Sequence, residues 1–179
     1  MAITPTALII SVLVDLSLHE IADHLFGGDY DAGPKRGTVA LDRKIPTILV
    51  PGNIDFLVTG PLENALKQFP NRPYHEHNAA ITVVRTKRKE IETLAETIAG
   101  LGNKAKGPVK ILVPMNGFSA FDHKQGPLHD PEAPEIFLKT LEKNLEDKAC
   151  LEALPLHIND SEFARTVIDM AYRINPDIA

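Results

Sequence analysis

Five short apolar runs mark the chain: Leu8–Val14, Thr47–Val50, Ala80–Val84, Val109–Val113 and Leu151–Leu156. Helical patterns separate them. Strands that alternate with helices need long crossovers, so neighbouring strands run parallel, and a parallel sheet is covered on both faces. The pattern predicts an α/β fold, a Rossmann-like three-layer arrangement of one parallel sheet with helices on both faces. Four runs end in polar clusters: Pro51-Gly52-Asn53-Ile54-Asp55, Arg85-Thr86, Asn116 through Asp122, and His157-Ile158-Asn159-Asp160. The first run ends in Asp15-Leu16-Ser17. In an open parallel sheet all strand C-termini share one edge, where ligands bind, so the clusters are expected to converge there.

The 179 residues suffice for a single α/β domain with a substantial core. A net charge of −5 argues against nucleic acid or an anionic membrane as the main partner. The single cysteine, Cys150, excludes an intrachain disulfide framework, fits a reducing compartment and is expected to be a buried inert thiol. Ala7–Val14 is apolar but lacks a basic flank, and Asp15 and Glu20 follow at once, so neither a signal peptide nor a membrane span is expected. The expected location is cytoplasmic.

Helix signals fill the gaps. Ser17-Leu18-His19-Glu20 reads as a capping box, and Gly27-Gly28 as the stop of that helix. A short amphipathic turn is expected around Arg36–Lys44. Thr86 can cap a helix with Ile91, Leu94, Ala95, Ile98 and Ala99 on one face, ending at Gly100 and Gly102. Asp130-Pro131 opens a helix with the stripe Ile136, Phe137, Leu141 and Leu145. Asn159 or Asp160 is expected to cap the last helix, whose buried face would hold Phe163, Val167, Ile168 and Ala171. Between Gly60 and Asn78, Pro61, Pro70 and Pro73 break the chain into a short helix and an extended stretch.

Each polar cluster has a structural and a functional reading. Gly52, Asn53 and Asp55 form either a ligand-facing loop or an Asx-turn. In an extended segment His75 and His77 point the same way and can reach one metal ion, but no third ligand is near, so no metal site is predicted. His77 and Asn78 remain candidates for polar ligand contact. Gly117-Phe118-Ser119 matches the first half of a nucleophile elbow, with Phe121 where the second glycine belongs. The order Ser119, Asp130, His157 matches that of α/β-hydrolase triads, yet a loop that binds anions through its amides is the stronger reading. His157 either faces the shared crevice or packs quietly. Lys87-Arg88-Lys89 reads as a solvated helix face, and the chain has no Walker A loop and no Gly-x-Gly-x-x-Gly turn.

Val50-Pro51-Gly52-Asn53-Ile54-Asp55-Phe56, Tyr74 to Asn78 with Val84-Arg85-Thr86, Gly107 to Asp122, His129 to Ala133 and His157 to Asp160 occur in this order. The set resembles the C-terminal half of an uncharacterised family described as having a Tm-1-like ATP-binding domain, to which the N-terminal region of the tomato mosaic virus resistance protein belongs. The resemblance covers nearly the whole chain from about Ala7 and implies two α/β halves in members about twice this length. It also implies an inter-lobe crevice, a partner for a partial C-terminal half, and ATP with Mg²⁺ as ligand.

The leading expectation is a ligand- or nucleotide-binding module whose crevice is lined by Gly52, Asn53, Asp55, His77, Asn78, Arg85, Asn116, Gly117, Ser119 and His157. Arg85 would offer a bidentate fork to a phosphate or carboxylate. The alternatives are a hydrolase-type enzyme with His157 or His77 as general base, and a scaffold half-domain that pairs with a copy of itself or with the missing half.

Overall fold

The structure is a computed structural model and describes residues 11–176. Leu8–Ile10 of the first apolar run lie outside the described residues. Four strands form a parallel sheet in the order β1-β2-β6-β7: β1 (Leu13–Asp15), β2 (Thr47–Leu49), β6 (Val109–Pro114) and β7 (Leu151–Leu154). The helices are α1 (His19–Phe26), α2 (Thr38–Asp42), α3 (Leu62–Gln68), α4 (Arg88–Lys104), α5 (Ala133–Asn144) and α6 (Ser161–Ile174). Alternation along β2 and β6 divides the core. Leu49, Ile111 and Val113 pack with α1, α4 and α5, whereas Ile48, Val50 and Leu112 pack under α6. The α/β class with helices on both faces is therefore what this chain adopts.

The third apolar run is a correction. Ile81–Arg85 forms β5 in a separate antiparallel sheet of order β3-β5-β4, with β3 (Phe56–Thr59) and β4 (Tyr74–Asn78) on either side. This sheet lies in the crossover between β2 and β6. A buried apolar run looks alike in parallel and antiparallel sheets, so its composition does not give its direction. The pairing Phe56↔Arg85, Leu57↔Val84, Val58↔Val83 places Leu57 and Val84 in the main core. The opposite face carries Phe56, Val58 and Val83 against Leu128 and Phe121.

Several helix ends also differ from the sequence expectation. The Ser17 hydroxyl does not cap α1; it lies 3.0 Å from His19 Nδ1 and accepts from Asn53 Nδ2 at 3.0 Å. Gly27, at φ 84°, does end that helix in the left-handed region. Thr86 Oγ1 donates to the Ile54 carbonyl, and Lys87 takes the N-cap position of α4 while Glu90 Oε2 accepts from its amide. Helix α4 continues through Gly100 and Gly102 to Lys104, because Gly102 serves close packing: a Cβ there would meet Leu145 Cδ2 at 3.2 Å and Ile111 Cδ1 at 3.3 Å. Asp160 occupies the N-cap position of α6, but its carboxylate turns back to accept from the His157 amide at 2.7 Å. The buried face of α6 is Phe163, Val167 and Met170; Ile168 is 54% exposed.

Candidate functional site

The loops that leave the parallel strands at their C-terminal edge are stitched to one another. The Asn53 amide donates to the Phe118 carbonyl (2.8 Å), Ile158 to Gly117 (3.2 Å), Asn116 to Leu156 (3.1 Å) and Leu18 to Gly52 (2.9 Å). Two glycines permit this closeness. A Cβ on Gly52 would meet the Leu16 carbonyl oxygen and lie 2.6 Å from Ile158 Cδ1. One on Gly117, at φ 133°, would meet the Asp122 carbonyl oxygen and lie 2.7 Å from His157 Cδ2.

Behind these loops lies a buried charge cluster. Ser119 Oγ donates to Asp55 Oδ2 at 2.7 Å. Arg85 Nη1 stands 3.4 Å from Asp55 Oδ2 and 3.6 Å from Asp122 Oδ2, so charge rather than a formed hydrogen bond holds the guanidinium. The pleat explains the meeting: Arg85 and Val83 share the face of β5 on which the 116–130 loop sits. Asp122 is also tied to backbone, its Oδ2 accepting from the Phe118 amide and its Oδ1 from the Asp130 amide, with His129 Nδ1 at 3.3 Å. Burial pushes the Asp55 carboxyl up to about 7; Arg85 opposes that shift and Asp122 reinforces it.

Beside the cluster, where β6 gives way to α5, a cavity of about 540 Å³ opens among Asn116, Gly117, Asp122, Lys124, His129 and Asp130. Its acidic wall is partly neutralised from outside, since Arg88 binds Asp130 through Nε at 3.1 Å and also pairs with Glu132.

The ten residues expected to line a crevice divide into groups. Asn116 and Gly117 line this cavity. Asp55, Arg85 and Ser119 come together but are buried, and the Arg85 fork faces two carboxylates rather than open space. Gly52, Asn53 and His157 hold the loops together. His157 Nδ1 accepts from the Asn159 amide and Nε2 faces the Ser119 carbonyl at 3.0 Å, so this network sets its tautomer and uses both ring nitrogens. Asn78 is used in the hairpin turn, where Oδ1 accepts from the Ala80 amide. His77 is exposed on β4 with its ring 6.1 Å from Phe121. Residues outside that set, Asp122, Lys124, His129 and Asp130, supply most of the polar lining. Their signal was present, because Asp122 closes the cluster after β6 and His129-Asp130 opens the next helix.

Ser119 and His157 do not form a hydroxyl–imidazole pair. The Ser119 hydroxyl goes to Asp55, and His157 reaches only the Ser119 carbonyl. Among the described residues no three His, Cys, Asp or Glu side chains converge as a metal-binding set, and no helix is long and apolar enough to cross a membrane. Cys150 is buried, and burial raises its thiol above the ordinary range.

Residues 6–174 match the model of an uncharacterised protein family, the UPF0261 C-terminal domain. The chain belongs to this family. Among its relatives it is 34% identical over 166 residues to the ToMV resistance protein Tm-1(GCR237) of Solanum lycopersicum, an alignment covering 92% of this chain and 22% of the tomato protein. It is 31% identical to a UPF0261 protein of Clostridium tetani, over 85% of this chain and 38% of the relative. A Rhizobium meliloti UPF0261 protein is 30% identical, over 92% of this chain and 42% of the relative. The chain thus spans less than half the length of these curated relatives.

Proposed function

We propose that this UPF0261 domain binds a small polar ligand at the C-terminal edge of its parallel sheet, in the cavity between the 116–130 loop and the start of α5. The observation that carries the reading is the cavity itself, since it lies where parallel α/β sheets bind ligands and a few polar side chains converge on a mainly apolar wall. Lys124 and His129 offer donors, Asn116 offers both a donor and an acceptor, and Asp122 is fixed from behind by backbone amides. A small carboxylate or monophosphate suits this mixture.

The nucleotide reading, ATP with Mg²⁺, is supported by the family resemblance alone. Among the described residues the loop after β6 is not shaped as a triphosphate cradle. Gly117 is consumed in packing against Asp122 and His157, and the approach to α5 carries Asp130 and Glu132. A nucleotide site in this family would therefore draw on the rest of the longer polypeptide.

The test is thermal unfolding with inorganic phosphate, small carboxylates and ATP–Mg²⁺, on the wild type and on His129→Ala and Lys124→Ala. A saturable rise in Tm with phosphate or a carboxylate, lost in both variants, is the expected result. A rise that both variants keep, or no rise with any compound, overturns the proposal.

A further inference from the structure

Among the described residues, one face of the parallel sheet is only half covered. The path β1, β2, β6, β7 steps across the sheet in one direction, and right-handed crossovers then put α1, α4 and α5 on one side. Among the described residues, helix α6 alone covers the other side, over β2 and β6. Between α6 and the edge strand β1 lies a groove of about 610 Å³, lined by Val14, Leu16, Ile158, Ile168, Ala171 and Tyr172 among others, with no charged side chain in its wall. Leu16 (51%), Ile168 (54%) and Tyr172 (48%) are large apolar side chains left exposed there. Ala164, Ile168 and Tyr172 follow one another at four-residue spacing, so α6 presents a second apolar stripe beside its buried one.

We propose that this groove seats an amphipathic helix from the polypeptide that precedes the domain in longer UPF0261 proteins. A parallel sheet needs a second layer on both faces, and a helix laid beside α6 at about 8–10 Å would complete it over β1. The occupant is supplied by what lies outside the match. The family model is that of a C-terminal domain, and well over half of each relative described above falls outside the aligned region. The described chain also enters beside the groove, because Asn175, just past α6, donates from Nδ2 to the Ser11 carbonyl at 2.8 Å. Ser11, the first described residue, therefore lies at the end of α6 that carries Tyr172. This inference stands independently of the ligand cavity.

The experiment compares thiol labelling of Ile168→Cys in this chain with the same substitution in a chimera, where this chain replaces the aligned region of the clostridial relative. Cys150 is buried, and Val39→Cys, 57% exposed on α2 and outside the groove, serves as the reference. Ile168→Cys should label rapidly in the isolated chain and at least tenfold more slowly in the chimera, with Val39→Cys equal in both. Equal rates for Ile168→Cys overturn the proposal. So does protection already complete in the isolated chain, which would assign the groove to residues 1–10, and so does protection that grows with concentration, which would assign it to a second copy. If the chimera does not unfold cooperatively, the preceding portion of the clostridial relative is co-expressed with this chain instead. It should co-purify with the wild type and be lost with Ile168→Glu; retention with Ile168→Glu, or no co-purification at all, overturns the proposal.

Discussion

Ser119 and Asp55, 64 positions apart, are joined by a 2.7 Å hydrogen bond that ties the loop after β6 to the loop after β2. Both are buried, and Asp55 stands beside Arg85 and Asp122. Removing one member strands the others. Ser119→Ala is expected to cost about 1–3 kcal/mol, the cost of leaving a buried acceptor without its donor. Arg85→Met leaves two buried carboxylates without their cation and should cost about 3–5 kcal/mol. Urea unfolding of the two variants measures both, and a smaller loss for Arg85→Met than for Ser119→Ala would contradict this account.

The Asp55 carboxyl, raised from 3.8 to about 7, makes stability depend on pH. Below pH 4 the group is protonated in both folded and unfolded chains and has no effect. Between about 4 and 7 the unfolded chain releases the proton while the folded chain keeps it, so this group's contribution falls as pH rises. Asp23, raised to about 6 chiefly by burial, acts in the same direction over a narrower window. Asp55→Asn does not titrate. The Tm of the wild type relative to Asp55→Asn should therefore decline from pH 4.5 to pH 7.5, and a constant difference would show that Asp55 ionises normally.

Gly117 and Gly33 both have positive φ, 133° and 78°, yet their surroundings differ. Nothing lies within 4 Å of a Cβ on Gly33, so Gly33→Ala should cost only the backbone strain, about 1 kcal/mol. Gly117→Ala also drives a methyl group into the Asp122 carbonyl and the His157 ring, and should cost well beyond that, about 3 kcal/mol or more. Chemical denaturation orders the pair.

Two glycines of α4 make the opposite comparison. A Cβ on Gly100 meets nothing within 4 Å, so Gly100→Ala should stabilise the chain by about 0.5–1 kcal/mol through helix propensity. At Gly102 the methyl group would crowd Leu145 and Ile111, and that gain should be cancelled or reversed. Equal stabilisation at both positions would mean that the contact between α4 and α5 yields easily.

The sequence made the parallel frame readable where local chemistry and tertiary context agree. The apolar runs at Thr47, Val109 and Leu151, the left-handed stop at Gly27 and the buried stripe of α4 are such places. It was silent where context decides. Phe56–Thr59 is a strand of four residues immediately behind a turn-forming cluster, and the direction of Ile81–Arg85 depends on that unseen partner. The polar loops did gather at one edge, but their side chains mostly serve one another. Asn53, Asp160 and His157 bond to neighbouring loop atoms, and Arg85 meets carboxylates that come from two other loops. Spacing along a chain cannot separate a group that faces solvent from one that faces another loop.

The antiparallel excursion between β2 and β6 also bears on how the chain finds its fold. β2 and β6 are partners in the sheet, yet their pairing must close the whole stretch from Leu49 to Val109, and long closures are slow. Once β3 zips against β5, Phe56 and Arg85 become neighbours, and the excursion returns to its own starting point. What remains to be closed is an ordinary strand–helix–strand step through α4. The small sheet thus acts as a short circuit in the chain, reducing its longest crossover to one of common effective length.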